Sequence, residues 1–155
     1  MGLTMVEVRH CPFKEVIDAK GFDELVKAYS TEPSIKNKDL MSPTPQLDTW
    51  LKLEEMGIFL AVGAFDGDKV VGVIGYTAYV YPLSGDLVGA VDPYFLMRPY
   101  RNTRIGTTMR TVLEGLASQN NLKGLFYGAP KGSALSKQYA KFYQHTNEVF
   151  WCNLK

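Results

Sequence analysis

The stretch RPYRNTRIGTTMRTVLEGLA, Arg98 to Ala117, decides how this chain is interpreted. It begins with a basic turn that contains proline and continues into a segment whose apolar residues recur at helical spacing. The first N–H groups of a helix have no partner within the helix, and the helix dipole adds positive charge there. A basic turn that opens into a helix is therefore a candidate anion site, and phosphate is the anion that suits it best.

The composition limits the classes of function. The chain has 155 residues, of which 46% are hydrophobic and 21% charged, and this predicts a single globular domain over residues 1–155. A net charge of +1 gives no case for a nucleic acid or a membrane as the partner. No segment approaches the roughly 18 apolar residues of a membrane span, and none has the length of a signal peptide.

The number and spacing of the cysteines are typical of a cytoplasmic protein. Cys11 and Cys152 lie at opposite ends of the chain and form no CxxC or Cys/His cluster, so no metal site is expected. Two reduced thiols in a cytoplasmic protein are expected, and a single disulfide that staples the termini is the alternative.

Hydrophobic periodicity and turn residues predict the order of elements. The predicted elements are a strand at Met5–His10, a helical segment at Phe13–Tyr29 interrupted at Gly21, a loop at Ser30–Pro45, a helix at Gln46–Met56, strands at Ile58–Phe65, Lys69–Tyr81 and Asp86–Met97, a helix at Thr103–Gln119, a strand at Leu122–Gly128, a helix from Ser133 to about His145 and a last strand at Val149–Leu154. Pro93 suits an edge or a bulge of its strand. Hairpins followed by a strand–helix–strand crossover predict an α+β three-layer sandwich, with a mixed, mainly antiparallel central sheet and about four flanking helices.

Two stretches carry a family resemblance. FLMRPYRNTRIGTTM resembles the coenzyme site of the GNAT (GCN5-related N-acetyltransferase) superfamily, in which Arg/Gln-x-x-Gly-x-Gly/Ala opens the central helix, and Arg101 to Gly106 fill those six positions. The stretch Ala140 to His145 is similar to the late helix of the family with its Phe-Tyr pair, and the order of elements agrees over nearly the whole chain. The sequence is also loosely similar to small acetyltransferase-like proteins of bacteriophages.

The resemblance implies acetyl-coenzyme A as cosubstrate, with no metal. The residues it places at the diphosphate are Arg101, Asn102, Thr103, Arg104, Ile105, Gly106 and Thr107. It also implies that the backbone of Phe95, Leu96 and Met97 pairs with the pantetheine arm. Backbone N–H groups of about residues 103–107 and the charges of Arg101 and Arg104 suit this anion physically.

The turn departs from the family pattern at two points. Arg104 stands where the family has its first glycine, and it could add charge to the phosphates or obstruct the site. Only Tyr100 separates Pro99 from Arg101, where the family has two residues. The alternative interpretation is that Thr103 merely caps a surface helix and that the arginines are solvated.

Acetyl transfer to an amine needs a base, an oxyanion donor and an acid for the thiolate. The resemblance favours Tyr143 as the acid, and the alternative is a packing tyrosine. Asp92 is the best candidate base because it lies on the strand that leads to the coenzyme residues, and the alternative is a turn aspartate before Pro93. Asp86, Glu7 and His10 are weaker candidates, and an amine of low pKa needs no base. A backbone N–H near Leu96–Met97 is the expected oxyanion donor.

The sequence thus predicts a cytoplasmic N-acetyltransferase that moves acetyl from acetyl-coenzyme A to a primary amine by direct attack in a ternary complex. The acceptor is a small-molecule or a protein amine, and a homodimer is compatible with the chain. A non-catalytic protein of the same fold that binds a protein partner is the rival interpretation, and a longer acyl donor is a third. An open groove between the strands at Asp92–Met97 and Leu122–Gly128 distinguishes the enzyme from the binder.

Overall fold

Five strands form one sheet in the computed structural model, which describes residues 5–42 and 44–155. The elements along the chain are β1 (Val6–His10), α1 (Phe13–Asp18), α2 (Phe22–Ser30), α3 (Leu47–Glu55), β2 (Phe59–Asp66), β3 (Lys69–Val80), β4 (Leu87–Leu96), a 3-10 turn (Arg98–Tyr100), α4 (Ile105–Gln119), β5 (Gly124–Tyr127) and α5 (Ala134–Phe142).

The strands lie in the order β1-β2-β3-β4-β5. The first four pair antiparallel, and β5 pairs parallel to β4 after the crossover through α4. Parallel pairing joins Val88–Val91 of β4 to Gly124–Tyr127 and ends there. The second half of β4, Asp92–Leu96, pairs with β3 alone among the described strands.

Strand alternation supplies a core on each face of the sheet. In β2, Phe59, Ala61 and Phe65 pack with α1, α2 and α3, whereas Val62 and Ala64 pack with α4. Met109 and Leu113 of α4 are fully buried against the second face. The helices therefore form layers on both sides of the sheet, and the predicted α+β sandwich is confirmed.

Gly21 divides the predicted first helical segment into α1 and α2, so the described ranges contain five α-helices rather than about four. Gly21 has φ +87°, and a Cβ there would lie 2.8 Å from Cγ of Lys69. Only glycine fits this left-handed, crowded position without strain. Within the described ranges, no helix combines the length and apolar character needed to cross a bilayer.

The predicted last strand at Val149–Leu154 is wrong. These residues belong to no strand, and Val149, Phe150 and Leu154 are largely exposed. Trp151 donates from Nε1 to Oδ2 of Asp39 at 2.9 Å instead. A short apolar run becomes a strand only where a neighbouring strand takes up its backbone hydrogen bonds, and the run does not specify that neighbour. The late helix also ends earlier than predicted, at Phe142.

Candidate functional site

The basic turn follows β4 and leads directly into α4. Asn102 takes the left-handed conformation with φ +61°, which asparagine tolerates better than most residues. Thr103 donates from Oγ1 to the carbonyl of Tyr100 at 2.6 Å and accepts from the N–H of Ile105 at 3.2 Å. Arg104 has φ −82° and ψ −4°, an ordinary right-handed conformation, and it is exposed. The backbone dihedral angles at this position therefore do not require glycine.

Several backbone N–H groups of this turn have no acceptor in the described part of the protein. Within residues 5–42 and 44–155, no acceptor lies on the N–H groups of Asn102, Thr103, Arg104, Gly106 or Thr107. The first N–H of α4 that donates to a backbone carbonyl is that of Thr108, and its acceptor is the Arg104 carbonyl. Unpaired N–H groups at the positive end of a helix suit an anion such as diphosphate, so the residues present fit this part of a coenzyme A molecule.

Gly106 brings the start of α4 close to β4. Tyr94 donates from its hydroxyl to the Gly106 carbonyl at 3.0 Å. A Cβ on Gly106 would lie 3.0 Å from that hydroxyl oxygen, closer than most real contacts. The basic turn at residues 101–107 is called the anion turn below, and Asp92–Leu96 is called the open half of β4. The small residue Gly106 thus sets the separation between the two.

Glu32, which was not identified from the sequence, forms ion pairs with Arg98 and Arg101 at the start of the turn. Its carboxylate accepts from Nη2 of Arg101 at 2.8 Å and from Nη2 of Arg98 at 3.2 Å. Arg101 also donates from Nε to the Leu96 carbonyl at 2.7 Å, and its guanidinium lies 5.0 Å from the centroid of the Phe95 ring. Arg101 is therefore engaged by the protein and joins the end of β4 to the loop after α2.

The Glu32 carboxylate is buried, with 7% of the residue exposed. Burial acts to raise its pKa, but hydrogen bonds from Arg101 and from the Ser34 N–H, with the charges of Arg101 and Arg98, outweigh burial and lower the pKa. Lys38 donates to the Glu32 carbonyl at 2.7 Å. A lone acid in a polar loop gives no sequence signal for this role.

The open half of β4 presents its peptide groups alternately. Met97 donates its N–H to the Val71 carbonyl of β3 at 2.9 Å. Because peptide groups alternate in direction along a strand, those of Leu96 and Tyr94 point to the side that β5 leaves open. The Met97 N–H, one of the expected oxyanion donors, is therefore not available, and the Leu96 carbonyl is taken by Arg101.

Asp92 lies where β4 leaves β5. It accepts a hydrogen bond from the Tyr29 hydroxyl of α2 at 3.1 Å, and the Tyr29 ring stacks on Phe95 with centroids 5.0 Å apart. Burial raises the pKa of Asp92, and the Tyr29 hydrogen bond partly opposes that shift. The register against β3 shifts at this point, between Ile74 and Tyr76, so the Asp92–Pro93 segment is the predicted bulge.

Tyr143 lies immediately after α5. Its hydroxyl donates to Oε2 of Glu114 at 2.7 Å, and the Tyr127 hydroxyl donates to the same oxygen at 2.6 Å. The Tyr143 and Tyr127 rings stack with centroids 4.7 Å apart. Burial and the hydrogen bond to Glu114 raise the pKa of Tyr143, against the lowering effects of Tyr127 and Arg110. Glu114 was not identified from the sequence.

The weaker base candidates lie elsewhere. Asp86 pairs with Lys123 at 3.2 Å beside the start of β4, and Glu7 pairs with Arg9 at 2.9 Å on β1. His10 lines a cavity of about 650 Å³ at the end of the sheet away from the anion turn. Cys11 is a buried free thiol and Cys152 an exposed one. In the described part of the chain, no three His, Cys, Asp or Glu side chains converge as a metal site would require.

Comparison with known proteins agrees with the architecture. The profile of the acetyltransferase (GNAT) family matches residues 22–145. The structure is similar to an aminoglycoside acetyltransferase from an uncultured soil metagenomic sample in complex with sisomicin, with TM-score 0.74, 16% identity and 97% of each chain covered.

Two further structures show the same fold. A predicted acetyltransferase with acetyl-CoA from Clostridium acetobutylicum has TM-score 0.71 and 18% identity, with 97% of each chain covered. A ribosomal-protein-alanine N-acetyltransferase from Brucella melitensis biovar Abortus 2308 has TM-score 0.68 and 17% identity, covering 96% of this chain and 97% of that one. No curated protein sequence gives a significant match.

Proposed function

The chain belongs to the acetyltransferase (GNAT) family, and we propose that it transfers acetyl from acetyl-coenzyme A directly to a primary amine. The observation that carries this proposal is the anion turn, residues 101–107. Its N–H groups at Asn102, Thr103, Arg104, Gly106 and Thr107, at the positive end of a 15-residue helix, have no acceptor among the residues that the structure describes. Beside the turn, half of β4 has an open edge.

In this proposal the anion turn binds the coenzyme diphosphate. The backbone N–H groups donate to it, and the exposed Arg104 side chain adds a charge-assisted bond. Arg101, which is engaged by Glu32 and by the Leu96 carbonyl, fixes the geometry of the turn rather than serving as the main phosphate ligand. Ile105 contributes less, because its N–H is already bound by Thr103.

The open edge of β4 binds the pantetheine arm. Its amide groups add to the strand through the peptide groups of Tyr94, as an extended peptide adds to a sheet edge. Phe95 and Met97 support the arm through their side chains, because their backbone N–H and carbonyl groups point toward β3. The Leu96 N–H, which has no acceptor among the described residues, is our oxyanion donor in place of that of Met97.

Asp92 removes the proton from the attacking amine, directly or through water. A carboxylate whose pKa is raised is a stronger base, and burial raises that of Asp92. Tyr29 holds one oxygen of this carboxylate and leaves the other for the proton. Tyr143 is the proposed acid for the departing sulfur, and its hydroxyl must turn from Glu114 to serve that role.

The proposed acceptor is a primary amine of a small molecule or of a protein. In this proposal the residues just after α2, which Glu32 joins to Arg101 before α4, select the amine. One structural neighbour is an aminoglycoside enzyme and another acts on a ribosomal-protein alanine. The first acceptor screen therefore includes small-molecule amines and protein amines.

The test is a transfer assay that measures release of free coenzyme A thiol from acetyl-coenzyme A. The amine panel contains a polyamine, an aminoglycoside and a peptide with a free N-terminus, and mass spectrometry identifies the acetylated product. Tyr143→Phe should lower kcat, whereas Tyr127→Phe, which loses a hydrogen bond to the same Glu114 oxygen, should retain it. Binding of acetyl-coenzyme A with no transfer to any amine would favour the non-catalytic binding protein.

A further inference from the structure

Arg110 is a buried cation on α4 with 4% of the residue exposed. It donates from Nη1 to the Tyr94 hydroxyl at 3.2 Å and to Oε1 of Gln138 at 3.5 Å. Its guanidinium lies 5.7 Å from the centroid of the Tyr139 ring. Among the described residues, the Nε of Arg110 and the hydroxyl of Tyr139 are buried side-chain atoms with no hydrogen-bond partner.

No carboxylate of the described ranges lies within ion-pair distance of Arg110. The acid one helical turn further along, Glu114, accepts instead from Tyr127 and Tyr143. A buried charge is costly unless it is paired, so this arrangement retains an unneutralised positive charge inside the protein. A charge of this kind is satisfied when an anion comes within reach.

The position of Arg110 separates it from the diphosphate. It lies five residues after Ile105, the first residue of α4, which is about 7.5 Å along the helix axis. It contacts the hydroxyl of Tyr94, whose peptide group faces the open edge of β4, and it lies close enough to Tyr143 to lower the pKa of that phenol. The cation therefore contacts the side chain of a residue in the second half of β4 and lies near the proposed acid.

We propose that Arg110 is a further catalytic residue, which holds the negative charge of the departing coenzyme A thiolate. This inference rests on the proposed acetyl transfer. In that step the amine nitrogen forms a bond to the acetyl carbon, the carbon–sulfur bond breaks, and its electron pair remains on sulfur. The amine proton goes to Asp92 or to water, so the sulfur leaves as a thiolate unless it is protonated later.

A cation suits this position better than the phenol alone. Tyr143 keeps its proton firmly, since burial and Glu114 raise its pKa. The groups that face Arg110 are Tyr94 from β4, Gln138 and Tyr139 from α5, and Tyr143 just after α5. Through Tyr143 they include the Glu114 carboxylate of α4 and the Tyr127 hydroxyl of β5. Glu114 is the one acid in this set and acts against the thiolate. Preorganised positive charge in a dry site stabilises developing negative charge strongly.

The test measures the pKa of the coenzyme A thiol while it is bound. The ultraviolet absorbance of the thiolate is titrated against pH for complexes of coenzyme A with the wild type, Arg110→Met and Arg110→Lys. Matching complexes with S-methyl coenzyme A subtract the ionisation of protein tyrosines. Methionine replaces the buried stem without charge, and lysine keeps the charge without the planar donors.

We expect the bound thiol in the wild type to have a pKa at least about one unit below that of free coenzyme A, a tenfold change in the ionisation constant. Arg110→Met should abolish this shift and Arg110→Lys should retain most of it, with acetyl-coenzyme A affinity preserved in both. A wild-type thiol with the pKa of free coenzyme A overturns the inference while leaving the proposed function intact, and this comparison needs no variant to fold. Failure of the wild type to bind coenzyme A overturns both.

Discussion

Arg101 donates to Glu32 at 2.8 Å although the two residues are 69 positions apart in the chain. The contact joins the loop after α2 to the turn before α4 through one buried carboxylate. Together with the bond from Arg101 to the Leu96 carbonyl, it engages the Arg101 guanidinium within the protein.

Replacing Glu32 should destabilise the protein. Glu32→Gln removes the charge that pairs with Arg101 and Arg98, and we expect the free energy of unfolding to fall by about 1–3 kcal/mol. Urea denaturation measures this change. Glu7→Gln is the matched control, because the Glu7–Arg9 pair is exposed and its loss should change stability by less than about 0.5 kcal/mol. Equal effects of the two substitutions would contradict the structural role of Glu32.

The Glu32 contribution should depend on pH with a defined sign. Its pKa in the folded protein lies below the ordinary value of 4.5 because its hydrogen bonds and the arginines outweigh burial. The contribution is therefore complete above about pH 4.5 and is lost as the pH falls through the folded-state pKa. The stability difference between wild type and Glu32→Gln should shrink over that acidic range. A difference that grows on acidification would reverse the assigned direction of the shift.

Gly106 and Tyr94 should be energetically coupled. Gly106→Ala places a methyl 3.0 Å from the Tyr94 hydroxyl and should destabilise the wild type, despite the better helix propensity of alanine. In a Tyr94→Phe background the obstruction is gone, so the same substitution should be neutral or stabilising. Thermal unfolding of the four proteins gives a double-mutant cycle, with an expected coupling of about 1 kcal/mol. Additive effects would mean that the two residues do not limit each other.

Asp92 and Tyr29 should control the acidic limb of the rate profile. Asp92→Asn should lower kcat about 100-fold if Asp92 is the base. Tyr29→Phe removes a donor that stabilises the charged carboxylate, so the pKa of Asp92 should rise and the acidic limb should move to higher pH. The pH dependence of kcat/KM in the transfer assay measures both effects. An unmoved limb in Tyr29→Phe would assign the limb to another group.

Local patterns in the sequence were sufficient for most elements of the fold. The apolar spacing from Ile105 onward predicted α4, and Asp66-Gly67-Asp68 lies where β2 and β3 form their hairpin. Ser133, where the late helix is predicted to begin, caps α5 and accepts from the Ser136 N–H at 3.1 Å. These features depend on neighbours within a few residues, which is the range over which sequence patterns act.

The contacts that complete the candidate site could not be predicted, because they join distant segments. Glu32 meets Arg101, and Glu114 meets Tyr143 29 positions later. Arg110 lies on the α4 face that packs inside the protein, where an arginine gives no periodic signal. The strand predicted at Val149–Leu154 is wrong for a related reason, because a strand forms only where a partner strand elsewhere in the chain pairs with it.

The central claim is that the anion turn binds the diphosphate of acetyl-coenzyme A, and isothermal titration calorimetry tests it most directly. The titration compares the wild type with Arg104→Glu and with Lys52→Glu, an exposed charge reversal on α3. We predict micromolar binding by the wild type, about −8 kcal/mol, and by Lys52→Glu, with a loss of about tenfold or more in Arg104→Glu. Equal affinity of the two variants, or no binding by the wild type, would contradict the claim.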